Sequence, residues 1–335
     1  SRYPMKQIAN SNQINLSPLK GSAAVEYLEE TLTFPLEVLN RFPKYFLIEP
    51  VNMCNARCIM CGIDFDKKVT AVLPDELLDK IASELANYQD HVEKVMLYLD
   101  CEPLMDRNLH LKIARLKQSG VSRVNIATNA SILTKSRSKA IIEAGLDEIY
   151  ISIDSLDKAT FEAIRLRLNF DKVYKNTVDF IKLRDQMNPK LVVRMQMIQQ
   201  ESNYHEADAF TEHWSKLLKP TDQIAVQKAH NWANAVDVMK FGDEGTANNI
   251  PCIALWGTLC IHANGDVGLC CMDTTTSILL GNVNNESIAD IWSGKPMQEI
   301  REKHLDGRRH EIEICNGCTL WRESKRDLKR TLGVD

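Results

Sequence analysis

Cys54-Asn-Ala-Arg-Cys58-Ile-Met-Cys61 places three thiols within eight residues, just after a short apolar run. Thiolates at this spacing can each take one corner of a cubane iron–sulfur cluster, because a short loop wraps one face of it. Structural zinc sites pair two Cys-x-x-Cys knuckles and use four ligands, whereas this loop has three. Three ligands leave one iron without a protein partner, and an open coordination site is what a catalyst needs. Seven more cysteines follow: Cys101, Cys252, Cys260, Cys270, Cys271, Cys315 and Cys318. A disulfide scaffold is not expected, since such scaffolds are short and exported. This chain has 335 residues, and its first residues, SRYPMKQ, lack the order of a secretory signal.

The elements that must position these thiols can be read from the apolar pattern. β-type runs occur at Tyr45–Ile48, Val95–Leu99, Val124–Ala127, Ile149–Ile153, Leu191–Met195 and Ile224–Val226. Between them, Leu77, Leu78, Ile81 and Leu85 keep a helical stripe, as do Leu109, Ile113, Leu116 and Tyr174, Val178, Ile181. Strands separated by helices imply right-handed crossovers and a parallel sheet. Six units are too few for an eight-fold barrel, and there is no Gly-x-Gly-x-x-Gly fingerprint. The expected fold is α/β, a partial (β/α)6 barrel over residues 44–240. Residues 1–43 read as an N-terminal extension with a helix at Ala23–Leu32, and residues 241–335 as a small cysteine-rich α+β module. In that module, Asn264-Gly265-Asp266 is a hairpin turn signal. Parallel α/β sheets place chemistry at the C-terminal ends of their strands.

Composition narrows the class. Lys+Arg total 41 and Asp+Glu 45, for a net charge of −4, with 44% hydrophobic and 26% charged residues. That balance argues against a nucleic-acid or anionic-membrane partner. No apolar run approaches the roughly 18 residues of a membrane-spanning helix, and a cytoplasmic location is the expectation.

The Cys-x3-Cys-x2-Cys loop after the first strand resembles the radical S-adenosylmethionine superfamily. That resemblance implies a [4Fe-4S] cluster whose open iron chelates S-adenosylmethionine. It also implies reductive release of a 5′-deoxyadenosyl radical that takes hydrogen from unactivated carbon, and an electron donor such as a flavodoxin or ferredoxin. Asp100-Cys101-Glu102-Pro103 resembles the family's Gly-Gly-Glu-Pro turn and gives Glu102 the methionine amine. Ala127-Thr-Asn-Ala130 resembles its Thr-Asn-Gly segment and puts Asn129 near the nucleoside, although a turn or helix-cap role fits Asn129 too. Ser152-Ile-Asp154 resembles the Ser-x-Asp strand end, with Ser152 near ribose or carboxylate; Asp154 is a cofactor contact or a helix cap. Met60 stands where the family's backbone meets adenine.

Cys252, Cys270, Cys315 and Cys318, with Trp256, the hairpin, Leu280-Gly-Asn282, Trp292 and Arg301, resemble twitch or SPASM-type extensions. The resemblance implies that these four cysteines hold an auxiliary [4Fe-4S] cluster, with Cys271 an alternative to Cys270. A four-thiolate zinc ribbon is the competing reading. Cys101, Cys260 and Cys271 remain as candidate hydrogen-atom donors, which an epimerase needs and a dehydrogenase does not. Candidate substrate contacts are Asp64, Gln196, Gln199, Gln227, Lys228 and His230. Resemblance to twitch-bearing dehydrogenases favours a sugar or aminocyclitol, oxidised or epimerised. Maturation of a ribosomal peptide and a non-catalytic iron–sulfur carrier are the alternatives.

Overall fold

The structure, a computed structural model, describes residues 18–237, 250–320 and 325–335. Residues 1–17 of the expected extension and the expected boundary at 240/241 lie outside the described residues.

Six strands run parallel and in chain order. They are β1 (Tyr45–Ile48), β2 (Lys94–Met96), β3 (Val124–Thr128), β4 (Glu148–Ser152), β5 (Val192–Gln199) and β6 (Gln223–Lys228). Each answers one of the six apolar runs, and helices lie between them. β1 is buried along its whole length, as expected of a parallel strand covered on both faces. The crossover helices Asp75–Ala86 and Leu109–Gln118 bury the stripes read from sequence.

Helix Phe170–Met187 departs from its expected stripe. Its buried face runs through Val173, Thr177, Phe180, Ile181 and Arg184 rather than through Tyr174 and Val178. The reason is a pair invisible to hydropathy: Arg184 is fully buried and makes a two-pronged contact with Asp222, at 2.6 and 2.7 Å.

The C-terminal region continues the same sheet. β7 (Thr258–Ile261) pairs in parallel with β1, Tyr45 opposite Thr258 and Ile48 opposite Ile261. β8 (Asp266–Gly268) and β9 (Leu279–Asn282) then add antiparallel, giving the order β9-β8-β7-β1-β2-β3-β4-β5-β6. The hairpin turns at Asn264-Gly265-Asp266, where Gly265 takes φ 92°, a conformation that suits glycine. Sharing β1 with the module puts the cysteine loop that follows β1 beside the later cysteines. A two-residue antiparallel ladder, Arg57–Cys58 against Arg165–Leu166, clips that loop to the chain after helix Lys158–Ile164.

Candidate active site

A cavity of about 290 Å³ lies at the C-terminal ends of the six parallel strands, and each of them contributes to its wall. The loop after β1 supplies Cys54, Cys58, Met60 and Cys61; the turn after β2 supplies Cys101 and Glu102. Thr128 and Asn129 come from β3, Ser152 from β4, Gln196 from β5, and Gln227, Lys228 and His230 from β6.

Cys54, Cys58 and Cys61 stand close together: Cys58 raises the pKa of Cys54, and both raise that of Cys61. Burial, the larger effect, pushes Cys54 up to about 11 and Cys61 up to about 12. Burial raises Cys58 too, against the pull of Arg165, whose guanidinium lies 3.6 Å from its Sγ. Such buried sulfurs stay thiols until a cation offsets their charge, which is what iron would supply. The donor set fits the implied cluster.

Glu102 is fully buried and held by three donors: Leu104 N–H at 3.1 Å, Thr128 Oγ1 at 2.7 Å and Asn129 N–H at 2.7 Å. The turn therefore orients its carboxylate without the expected glycines. Asn129 is itself tied down, donating to Asn55 at 2.9 Å and accepting from Ser131, so it carries both the turn role and the cavity wall. Beneath this turn, Glu49 accepts from Asp100 N–H and Ala263 N–H and contacts His262 at 3.3 Å, while Asp100 pairs with Lys68 at 2.6 Å. This buried network welds β1, the turn after β2 and β7 together.

Four expected residues lie elsewhere. Asp154 does not line the cavity; it accepts from Arg165 Nε and from Ile198 N–H, both at 2.7 Å. It caps no helix either, since Asp157 accepts from Thr160 N–H and starts helix Lys158–Ile164 by itself. Cys260 is buried in β7 behind the wall, whereas Cys101 and Cys271 do line it. Of the candidate substrate contacts, Asp64 pairs with Lys67 at the surface and Gln199 donates to Tyr204 O; neither lines the cavity.

Sequence reading missed Arg165 and Arg194. Both line the cavity, but neither sits in a recognisable motif; their partners Asp154 and Asp335 are assembled only by the fold.

The second cysteine group gathers in the module. Cys252 feels Cys315 and Cys318, and Cys270 feels Cys315 and Cys252. Burial raises Cys252 and Cys270 well above the thiol range and pushes Cys315 up to about 12. Buried Arg309 faces Cys252, Cys318 and Cys315, as Arg165 faces the first group. Asn231, beyond β6, docks on this module through Gly317 O at 2.8 Å and Thr319.

All ten cysteines are free thiols rather than disulfides.

Comparison with known proteins agrees with this chemistry. The radical SAM superfamily model matches residues 48–209, and the SPASM model, an iron–sulfur cluster-binding domain, matches residues 252–319. A GTP 3′,8-cyclase of Staphylococcus aureus strain JH9 is 31% identical over 153 residues, 43% of this chain and 41% of the relative. The match thus spans about two fifths of that curated relative's length. Among solved structures, BtrN in complex with AdoMet and 2-DOIA aligns with TM-score 0.59 and 16% identity, covering 83% of this chain and 93% of that one. Streptococcus suis SuiB bound to precursor peptide SuiA aligns with TM-score 0.65 and 16% identity, over 86% and 75%. These structural likenesses show the fold. The two matched domains imply a [4Fe-4S] cluster, S-adenosylmethionine and auxiliary iron–sulfur binding, for which both cysteine groups have suitable donors. Motif, barrel and module together make this chain a member of the radical S-adenosylmethionine superfamily with a SPASM-type iron–sulfur module.

Proposed function

We propose that the protein abstracts hydrogen from a carbon of a sugar-like small molecule and so dehydrogenates or epimerises it. The observation that carries this reading is that the three-cysteine loop, Glu102 and two free thiols all face one cavity. When bound there, a cluster with S-adenosylmethionine supplies one-electron cleavage and a carbon radical strong enough to break an unactivated C–H bond. Cys54, Cys58 and Cys61 would hold that cluster, and Cys252, Cys270, Cys315 and Cys318 the auxiliary one. Glu102 would accept the methionine amine, Met60, Asn129 and Ser152 would border the nucleoside, and Arg165 would offset negative charge beside Cys58.

Cys101 and Cys271 on the cavity wall favour epimerisation. Return of hydrogen breaks an S–H bond and forms a C–H bond; an external flavodoxin- or ferredoxin-like donor would then restore the thiol with one electron, and water with one proton. The direct test uses reduced protein in heavy water with candidate sugars. Deuterium in an inverted carbon identifies epimerisation, and a product two electrons more oxidised identifies dehydrogenation. Modification of a peptide instead, as the SuiB complex with its precursor peptide invites testing, would replace the small-molecule reading.

A further inference from the structure

The charge lining the cavity is one-sided. Among the described residues, four cationic side chains line it, Arg165, Arg194, Lys228 and Arg330, against the single carboxylate of Glu102. Arg165 is compensated from behind by Asp154, and Arg194 by Asp335 at 2.9 Å. Lys228 and Arg330 are not matched in this way. Lys228 is exposed at the end of β6 with no ion pair among the described residues, and Arg330 has only a long contact with Asp327, at 3.9 Å. Arg330 is brought to the wall by its own carbonyl, which accepts from Arg194 at 3.4 Å, and by Thr331, which accepts from Gln227 at 2.7 Å. Arg194 also keeps a buried Nε without a hydrogen-bond partner. His230 accepts from Trp232 N–H on Nδ1, which leaves its proton on Nε2.

A substrate amine would find no carboxylate here except Glu102, which the reading above already assigns to the methionine amine. Placing an ammonium group among cations without a counter-charge is unfavourable, whereas an anionic oxygen group gains charge-assisted hydrogen bonds. We propose that the substrate of this cavity carries a phosphate or carboxylate, held by Lys228 and Arg330. The proposal rests on the small-molecule reading above and narrows it to anionic sugars, against aminocyclitols.

The test is equilibrium binding to cluster-loaded protein with S-adenosylmethionine and no reductant, followed by tryptophan fluorescence. Trp232 lines the cavity, and Trp232→Phe controls for signal from the other tryptophans. The probes are glucose, glucose 6-phosphate, glucuronate and 2-deoxystreptamine. Glucose 6-phosphate or glucuronate should bind about ten-fold tighter than glucose, and 2-deoxystreptamine no tighter than glucose. Which anion binds better distinguishes a phosphate from a carboxylate substrate. K228Q and R330Q should each reduce the anion's advantage, and the double variant should abolish it; both positions are at least partly exposed, so folding is not at stake. Tighter binding of 2-deoxystreptamine, absence of an anion preference, or its survival in the double variant overturns the proposal. Failure of the radical reading shows separately, as absence of 5′-deoxyadenosine after reduction.

Discussion

Arg165 donates through Nε to Asp154 at 2.7 Å, and both side chains are buried. Its Nη1 lies 3.6 Å from Cys58 Sγ. Burial disfavours this guanidinium's charge, but Asp154 and the nearby sulfurs more than offset that. The pair thus fixes a cation beside the cysteine loop.

Breaking the pair from either side has different consequences. Asp154→Ala leaves a charge buried without a partner and should cost about 3–5 kcal/mol in urea unfolding. Arg165→Gln should keep the iron yet slow 5′-deoxyadenosine formation by about two orders of magnitude, through lost cation placement at the reacting end. Equal activity in Arg165→Gln would remove its role at the site.

The two cysteine groups should lose iron independently. Anaerobically loaded protein should hold about eight irons, and Cys58→Ala about four, with no 5′-deoxyadenosine formed. Cys315→Ala should also fall to about four while S-adenosylmethionine cleavage survives. Zinc in place of the second set of irons would return the zinc-ribbon reading.

Among the unassigned thiols, Cys271 and Cys101 should differ from Cys260 in kind. Cys271→Ala or Cys101→Ala should cut deuterium return from heavy water while S-adenosylmethionine cleavage persists. Cys260→Ala, in the core of β7, should cost about 1–2 kcal/mol of stability and leave isotope incorporation unchanged. Retained incorporation in both cavity-wall variants and their double would exclude a cysteine donor.

Gly62, next to Cys61, has no room for a side chain: a Cβ there would stand 2.6 Å from Cβ of Trp232. The loop after β6 therefore closes directly onto the cysteine loop. Gly62→Ala should push them apart, costing about 1–3 kcal/mol, and Trp232→Ala in the same chain should relieve part of that loss. Additive losses in the double variant would mean that the contact is not what limits the site.

Asp100 predicts a pH effect. Burial, opposed by Lys68, pushes its carboxyl up to about 6. Between about pH 4 and pH 6 the folded chain keeps a proton that the unfolded chain has shed, so this group's contribution to stability falls as pH rises. In metal-free protein, Asp100→Asn should flatten the wild-type decline across that window by on the order of 1–3 kcal/mol. The same slope in both proteins would mean that Asp100 is ionised throughout.

Local pattern was enough for the spacing of the three-cysteine loop, the six strands and the Gly265 turn, because each depends on neighbours a few residues away, whereas Glu102 was marked only by its turn's resemblance to a family motif. Spacing in the chain and spacing in space are nearly the same thing within one loop. Pairings across 100 residues or more were not legible. Cys58 with Arg165, Arg194 with Asp335 and Glu49 with His262 each require β1, β5 or β7 to be placed first. The same holds for which spare thiol faces the cavity: Cys260 and Cys271 are alike in sequence, and only the β7–β1 pairing buries one and leaves the other on the wall. Charge that hydropathy counts as surface was drawn inside by these partnerships, since a buried ion is tolerated only where the fold brings it a counter-ion.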